Sequence, residues 1–279
     1  MSITLGARAH DFGKLPAEIL AEKIAAKGLT CVQLALAKAL DGINSETGSL
    51  SPGLAAHVRE AFARRGVRIA VLGCYVNLVH PDLAERRSLL ARFKEHLRFA
   101  RDFGCSVVAT ETASLNADWS AHPDNGGEAA FRTACESVGE LVAEAEKFGV
   151  FVAIEGVAHH VVSTPQRMRR LLDEIASPNL QVLFDPVNLL SPENLGVQDR
   201  VMQESFDLFG DRIVVTHVKD FRCEGGKLRP EIIGRGQLNY ELLARLLRAR
   251  KSYIDVLIED TTAATIDESI VAVRRAFAC

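Results

Sequence analysis

Short apolar runs rich in β-branched residues alternate with longer amphipathic stretches from one end of the chain to the other. The runs predict strands near Ile3–Leu5, Cys31–Leu36, Val67–Leu72, Ser106–Ala109, Val150–Ile154, Leu180–Phe184, Ile213–Thr216 and Asp255–Ile258. Several of them (FVAI, LQVLF, RIVVT, DVLI) show no polar alternation, the pattern of parallel strands covered on both faces. Between them, Glu85–Phe103 carries Leu89, Phe93, Leu97, Ala100 and Phe103 on one stripe, with Gly104 to end it. Ala129–Phe148 repeats the pattern with Phe131, Cys135, Val138, Val142, Ala145 and Phe148, followed by Gly149. Thr164 and Pro165 form an N-cap and first-turn pair ahead of Met168, Leu171, Leu172 and Ile175, and Asn239 is placed to cap Tyr240–Arg250.

Eight strands over 279 residues repeat about every 35 residues, which suits strand–loop–helix–loop units closing into a (β/α)8 TIM barrel of class α/β. The alternative is an open, doubly wound sheet, but no GxGxxG or P-loop follows an early strand. No linker or low-complexity tract interrupts the pattern, so residues 1–279 read as a single domain.

Composition changes this picture little. Nearly half the chain is apolar, a quarter is charged, and the net charge of -3 gives no basic excess for nucleic acid. The six cysteines, at 31, 74, 105, 135, 223 and 279, have neither CxxC nor zinc-ribbon spacing and read as reduced thiols, Cys279 as a free one. The start, MSITLGARAHDFG, lacks a signal-peptide pattern, and no apolar stretch is long enough to span a membrane. The expectation is a soluble, cytoplasmic protein with no nucleic-acid or membrane partner.

The chemistry is concentrated where four apolar strands end. Glu155 follows FVAI, Asp185 follows QVLF, His217 follows IVVT and Glu259 follows DVLI. A polar residue after a strand is ordinarily a cap or an ion-pair partner; here four consecutive strands end in one. In a barrel these tips share one mouth. Three carboxylates packed together repel unless some take up protons or a cation joins them. Three oxygens and one nitrogen suit one divalent ion: Mn²⁺, with Mg²⁺, Co²⁺ or Zn²⁺ as alternatives.

The segments VAIEG (153–157), LFDPVNLL (183–190), THVKDF (216–221), IGRGQLNYELL (233–243) and VLIED (256–260) resemble the xylose isomerase-like TIM barrels, the sugar phosphate isomerases and epimerases. NLVHPDLAERR (77–87) and GCSVVATET (104–112) extend the likeness, in the family's order, over almost the whole chain. The resemblance implies that Glu155, Asp185, His217 and Glu259 hold the metal and that Glu155 and Glu259 are also the acid/base pair. The implied reaction is isomerisation or epimerisation of a sugar or sugar phosphate. A proton next to a carbonyl is removed through a metal-stabilised enediolate. The implied partners are a small carbohydrate substrate and a second copy or three, as homodimer or homotetramer.

Further rim positions are candidates for substrate contact: His159 and His160 after the fifth strand, Glu111 after the fourth, and Arg222 and Arg235 after the seventh. Loop solvation accounts for each of them equally. Tyr75 and Asn77 follow the third strand, where packing is the simpler account, and Trp119 is placed as a wall of the pocket. Asp220 reads either as a partner that orients the metal site or as a loop acid.

The chain departs from the family at two substrate-touching positions. Gln33 stands where many relatives have Glu, and Asn188 where many have His. An inosose-type dehydratase and a hydroxypyruvate-type isomerase share the same first step and remain alternatives. A barrel-type AP endonuclease would need extra histidines at Cys74–Asn77, Glu111, Asn188 and Glu231–Ile233, where none stands. A non-catalytic sugar-binding barrel would have no use for both Glu155 and Glu259.

Overall fold

The computed structural model describes residues 2–278. Cys279, read above as a free thiol, lies outside the described residues. Eight parallel strands close a barrel: β1 (Ser2–Arg8), β2 (Cys31–Leu34), β3 (Arg68–Gly73), β4 (Val107–Glu111), β5 (Phe151–Glu155), β6 (Leu180–Phe184), β7 (Ile213–Val218) and β10 (Tyr253–Ile258). Each pairs with its sequence neighbours, and β1 closes the ring against β10 in the register Ser2↔Tyr253 to Ala7↔Ile258. The strands β8 (Asp220–Glu224) and β9 (Lys227–Glu231) form a separate antiparallel hairpin inserted after β7.

Helices α1 (Ala17–Ala26), α3 (Pro52–Ala63), α4 (Leu83–Phe99), α5 (Glu128–Phe148), α6 (Pro165–Ile175), α7 (Gln198–Phe209), α8 (Tyr240–Arg250) and α9 (Ile266–Ala278) surround the barrel, with the one-turn α2 (Leu36–Ala39) at the end of β2. The expected caps are present. Thr164 accepts a hydrogen bond from the Arg167 amide, Asn239 accepts one from Leu242, and Gly149 ends α5 in the left-handed conformation. The predicted stripes face inward: Phe93, Leu97, Ala100 and Phe103 are fully buried, as are Phe131, Val138 and Ala145, while Phe148 at the end of α5 is exposed. Burying each such aromatic or aliphatic side chain contributes about 1.5–3 kcal/mol.

Several strand boundaries differ from the sequence expectation. β1 runs on to Arg8 and β4 to Glu111, whereas β2 ends at Leu34 because Leu36–Ala39 coils into α2. At Gly6 the neighbouring strand comes so close that an added Cβ would lie 2.6 Å from Cys31 Sγ. Cys31, Cys74, Cys105, Cys135 and Cys223 are free thiols. Among the described residues no helix is long and apolar enough to cross a membrane.

Candidate active site

Glu155 is the last residue of β5, Asp185 and Glu259 directly follow β6 and β10, and His217 is the last but one residue of β7. All four are buried, and each offers one ligand atom within 4.8 Å of the others. Local bonds fix the carboxylates. Asp185 Oδ1 accepts from the Val187 and Asn188 amides at 2.7 and 3.1 Å, and Glu155 Oε1 accepts from Asn188 Nδ2 at 2.6 Å. Two donor atoms of the cluster are left without a hydrogen bond. Asp185 Oδ2 has no hydrogen-bond partner, and neither has His217 Nδ1. That nitrogen lies 2.9 Å from Glu259 Oε2 and 3.5 Å from Glu155 Oε1, without the alignment of a hydrogen bond. Buried polar atoms left without a partner are costly unless a proton or a cation meets them. Three carboxylate oxygens and one imidazole nitrogen therefore form a cluster fit to hold one metal ion.

The electrostatics agree. Burial, reinforced by Glu259 and Glu155 and opposed by Lys219, pushes the Asp185 carboxyl up to about 7. Burial disfavours the His217 imidazolium, but Glu155 and Glu259 outweigh it and raise the ring to about 10. The Glu259 carboxyl is buried too, yet Lys219 and His217 hold it well below the usual carboxylate range. The group attracts positive charge from every side.

Part of that charge comes from two residues that the sequence reading passed over. Lys219 Nζ hydrogen-bonds Glu259 Oε1 and, at 2.6 Å, Asn188 Oδ1, and it lies 3.3 Å from Asp185 Oδ2. Its signal was present: it stands two positions after His217 in the extended run THVKD, on the same side of the strand. Arg8, at the tip of β1, donates to Glu259 Oε2 at 3.3 Å and to Asp260 Oδ1 at 2.7 Å. Ending that strand at Leu5 hid it.

The other rim residues fall into separate groups. Glu111 stands in register with Glu155 on the adjacent strand, and its carboxylate lies 3.1 Å from Nδ1 of the buried His160. Burial, then Glu155 and Glu259, raises Glu111 to about 8, while burial, then His159, lowers His160 to about 3. The Trp119 ring meets His160 edge-on at 5.8 Å. His159, Asn188, Lys219, Leu228 and Asp260 line a cavity of about 300 Å³ beside the cluster. A larger groove of about 680 Å³ runs between α8 and α9 and holds none of the four ligand residues. Tyr75 joins Gln33, whose amide donates to its hydroxyl at 2.8 Å.

The remaining candidates bond to groups outside the four-residue cluster. Asn77 bridges two loops through the Ser114 and Asn116 carbonyls. Asp220 touches no ligand residue; its carboxylate accepts from the amides of Phe221, Gly234, Gly236 and Leu238 and so pins the loop before α8. Arg222 and Arg235, expected near substrate, are engaged elsewhere. Arg222 pairs with Glu231 across the hairpin and Arg235 with Glu268 on α9, because both lie on exposed segments beside an acid.

The sequence profile of the xylose isomerase-like TIM barrel matches residues 21–275. The chain belongs to this family. No curated protein matches it in sequence. Among solved structures, the family fold is shared with D-psicose 3-epimerase in the presence of D-fructose (TM-score 0.74, 15% identity, 99% of this chain and 100% of that one). A xylose isomerase-like TIM barrel protein from Mycobacterium smegmatis in complex with magnesium gives 0.73 at 16% identity, over 99% and 96%. The IOLI protein with a bound zinc atom gives 0.71 at 14%, over 98% and 96%.

Proposed function

We propose that the protein is a divalent-metal-dependent epimerase or isomerase of a small keto sugar or its phosphate, with Mn²⁺ as the working ion. The observation that carries this reading is the placement of two buried glutamates, Glu155 and Glu259, in one cluster with Asp185 and His217 beside a cavity of sugar size. The similarity to a ketose epimerase, and to family members holding magnesium or zinc, supports it.

Glu155, Asp185, His217 and Glu259 would hold the ion, which supplies Lewis acidity at the substrate oxygens when bound. The protein's own groups do the rest. One glutamate carboxylate takes the proton from the carbon next to the carbonyl, and the other returns one, inverting the centre if it acts from the opposite face. Lys219 adds positive charge where the carbonyl oxygen becomes negative. Asn188 holds Glu155 in place, and His159 lines the cavity as a hydroxyl partner.

The Glu111–His160 pair favours one second reading. A carboxyl whose hold on its proton is strengthened by burial next to the mouth can hand that proton to a departing hydroxyl, as an inosose-type dehydratase requires. One experiment separates the two. A panel of ketoses and ketose phosphates is incubated with Mn²⁺ in D2O and followed by NMR, with wild type beside Glu259→Gln. Deuterium entering next to the carbonyl, in wild type and only with metal, is the expected result. Loss of water with formation of an unsaturated ketone moves the assignment to the dehydratase, and a panel without exchange overturns the epimerase.

A further inference from the structure

Gln33 sits in β2, which pairs with β1 and β3 and has no hydrogen-bonded contact with β7 in the barrel. Its side chain nevertheless reaches His217. The amide is 2% exposed, and Gln33 Oε1 lies 2.8 Å from His217 Nε2. On its other side, Gln33 Nε2 donates to the Tyr75 hydroxyl at 2.8 Å. Two local features provide the path. The register of β2 against β3 shifts between Val32 and Gln33, an irregularity of the kind that re-aims a side chain. Gly73 on β3 leaves the passage open, since a Cβ there would press on Gln33 Nε2 at 3.3 Å.

We propose that Gln33 is a positioning residue for the metal cluster, holding the His217 ring so that its Nδ1, the atom free to bind an ion, faces Glu155 and Glu259. This rests on reading the cluster as a metal site. A carbonyl oxygen can only accept, so the imidazole nitrogen facing Gln33 must carry the hydrogen. In a neutral ring the other nitrogen is then the acceptor, and it is the one turned toward the carboxylates. The Tyr75 hydroxyl completes the lock by engaging the Gln33 amide, which stops the side chain from turning over. Metal-binding histidines generally depend on such a partner for orientation, and losing it weakens metal affinity by about 10–100-fold.

The test is Mn²⁺ affinity by titration calorimetry on Gln33→Met, which keeps the volume and removes the acceptor, and on Gln33→Glu, which keeps the acceptor. Gln33→Met is expected to raise Kd by about 10–100-fold, and Gln33→Glu to stay within about threefold of wild type. Should Gln33→Met fail to fold, Gln33→Asn, whose amide is one carbon too short to reach His217, carries the same expected loss. Wild-type affinity in a folded Gln33→Met or Gln33→Asn overturns the inference alone. A wild type that takes no Mn²⁺, Mg²⁺ or Zn²⁺ overturns it together with the metal reading.

Discussion

The tips of β5, β6, β7 and β10 and those of β1 to β4 enclose the same mouth but carry different chemistry. The first half presents Glu155, Asp185, His217 and Glu259, whose potential ligand atoms all lie within 4.8 Å of one another. The second presents Arg8, Gln33 and Glu111, each engaged with a side chain from elsewhere on the rim: Arg8 with Glu259, Gln33 with His217, Glu111 with His160. One half carries the cluster that could hold an ion; from the other, Arg8 and Gln33 reach across to contact it. Lys219 belongs by sequence to the first half but acts like the second, because it bonds to ligand oxygens while bringing a charge of the metal's own sign.

Substitutions can break or sharpen that contrast. The largest effect is expected on the ligand side. Asp185→Asn keeps the volume and the bonds to Oδ1 but removes the anionic donor, and Mn²⁺ affinity measured by calorimetry should fall more than about 100-fold. Lys219→Met should move affinity the other way. A unit positive charge close to the ion repels it even when strongly screened, so removal should tighten Mn²⁺ binding by about tenfold. The same variant should lower turnover, and unchanged affinity would show that Lys219 does not sense the ion. The smallest effects belong to the arginines on the outer segments. Arg222→Ala and Arg235→Ala each break an exposed ion pair worth about 0–1 kcal/mol. Neither should change KM for the sugar by more than about twofold; a large rise would mean that the hairpin folds over bound substrate.

Much of this was legible in the sequence, and the exceptions have physical reasons. The strands announce themselves because a parallel barrel strand is covered on both faces, leaving apolar runs with no competing pattern. The ligand residues are visible because each breaks such a run at its end. The hairpin was missed because FRCEGGKLRPE, lying outside the barrel, has one exposed face and few apolar positions. The contact of Gln33 with His217 was out of reach for another reason. Its partner lies 184 positions further along the chain, and no local pattern encodes a bond across the barrel. Asp220 was read as either a site partner or a loop acid; it proves to be a buried loop anchor, its four amide partners coming from the glycine-containing turn that follows the hairpin.

That anchor has a consequence for how the protein tolerates change. Asp220 fixes the base of the hairpin, and Gly236 must stay a glycine because a Cβ there would collide with the Asp220 carboxylate and lie 2.5 Å from the Phe221 carbonyl. The far end is a two-residue turn at Gly225 and Gly226, both with positive φ, and is exposed. A knot at the root and a free tip make this segment a natural port for grafting. Longer or differently charged loops can be spliced in between Glu224 and Lys227, reshaping the rim of the cavity while the cluster on β5, β6, β7 and β10 is left alone.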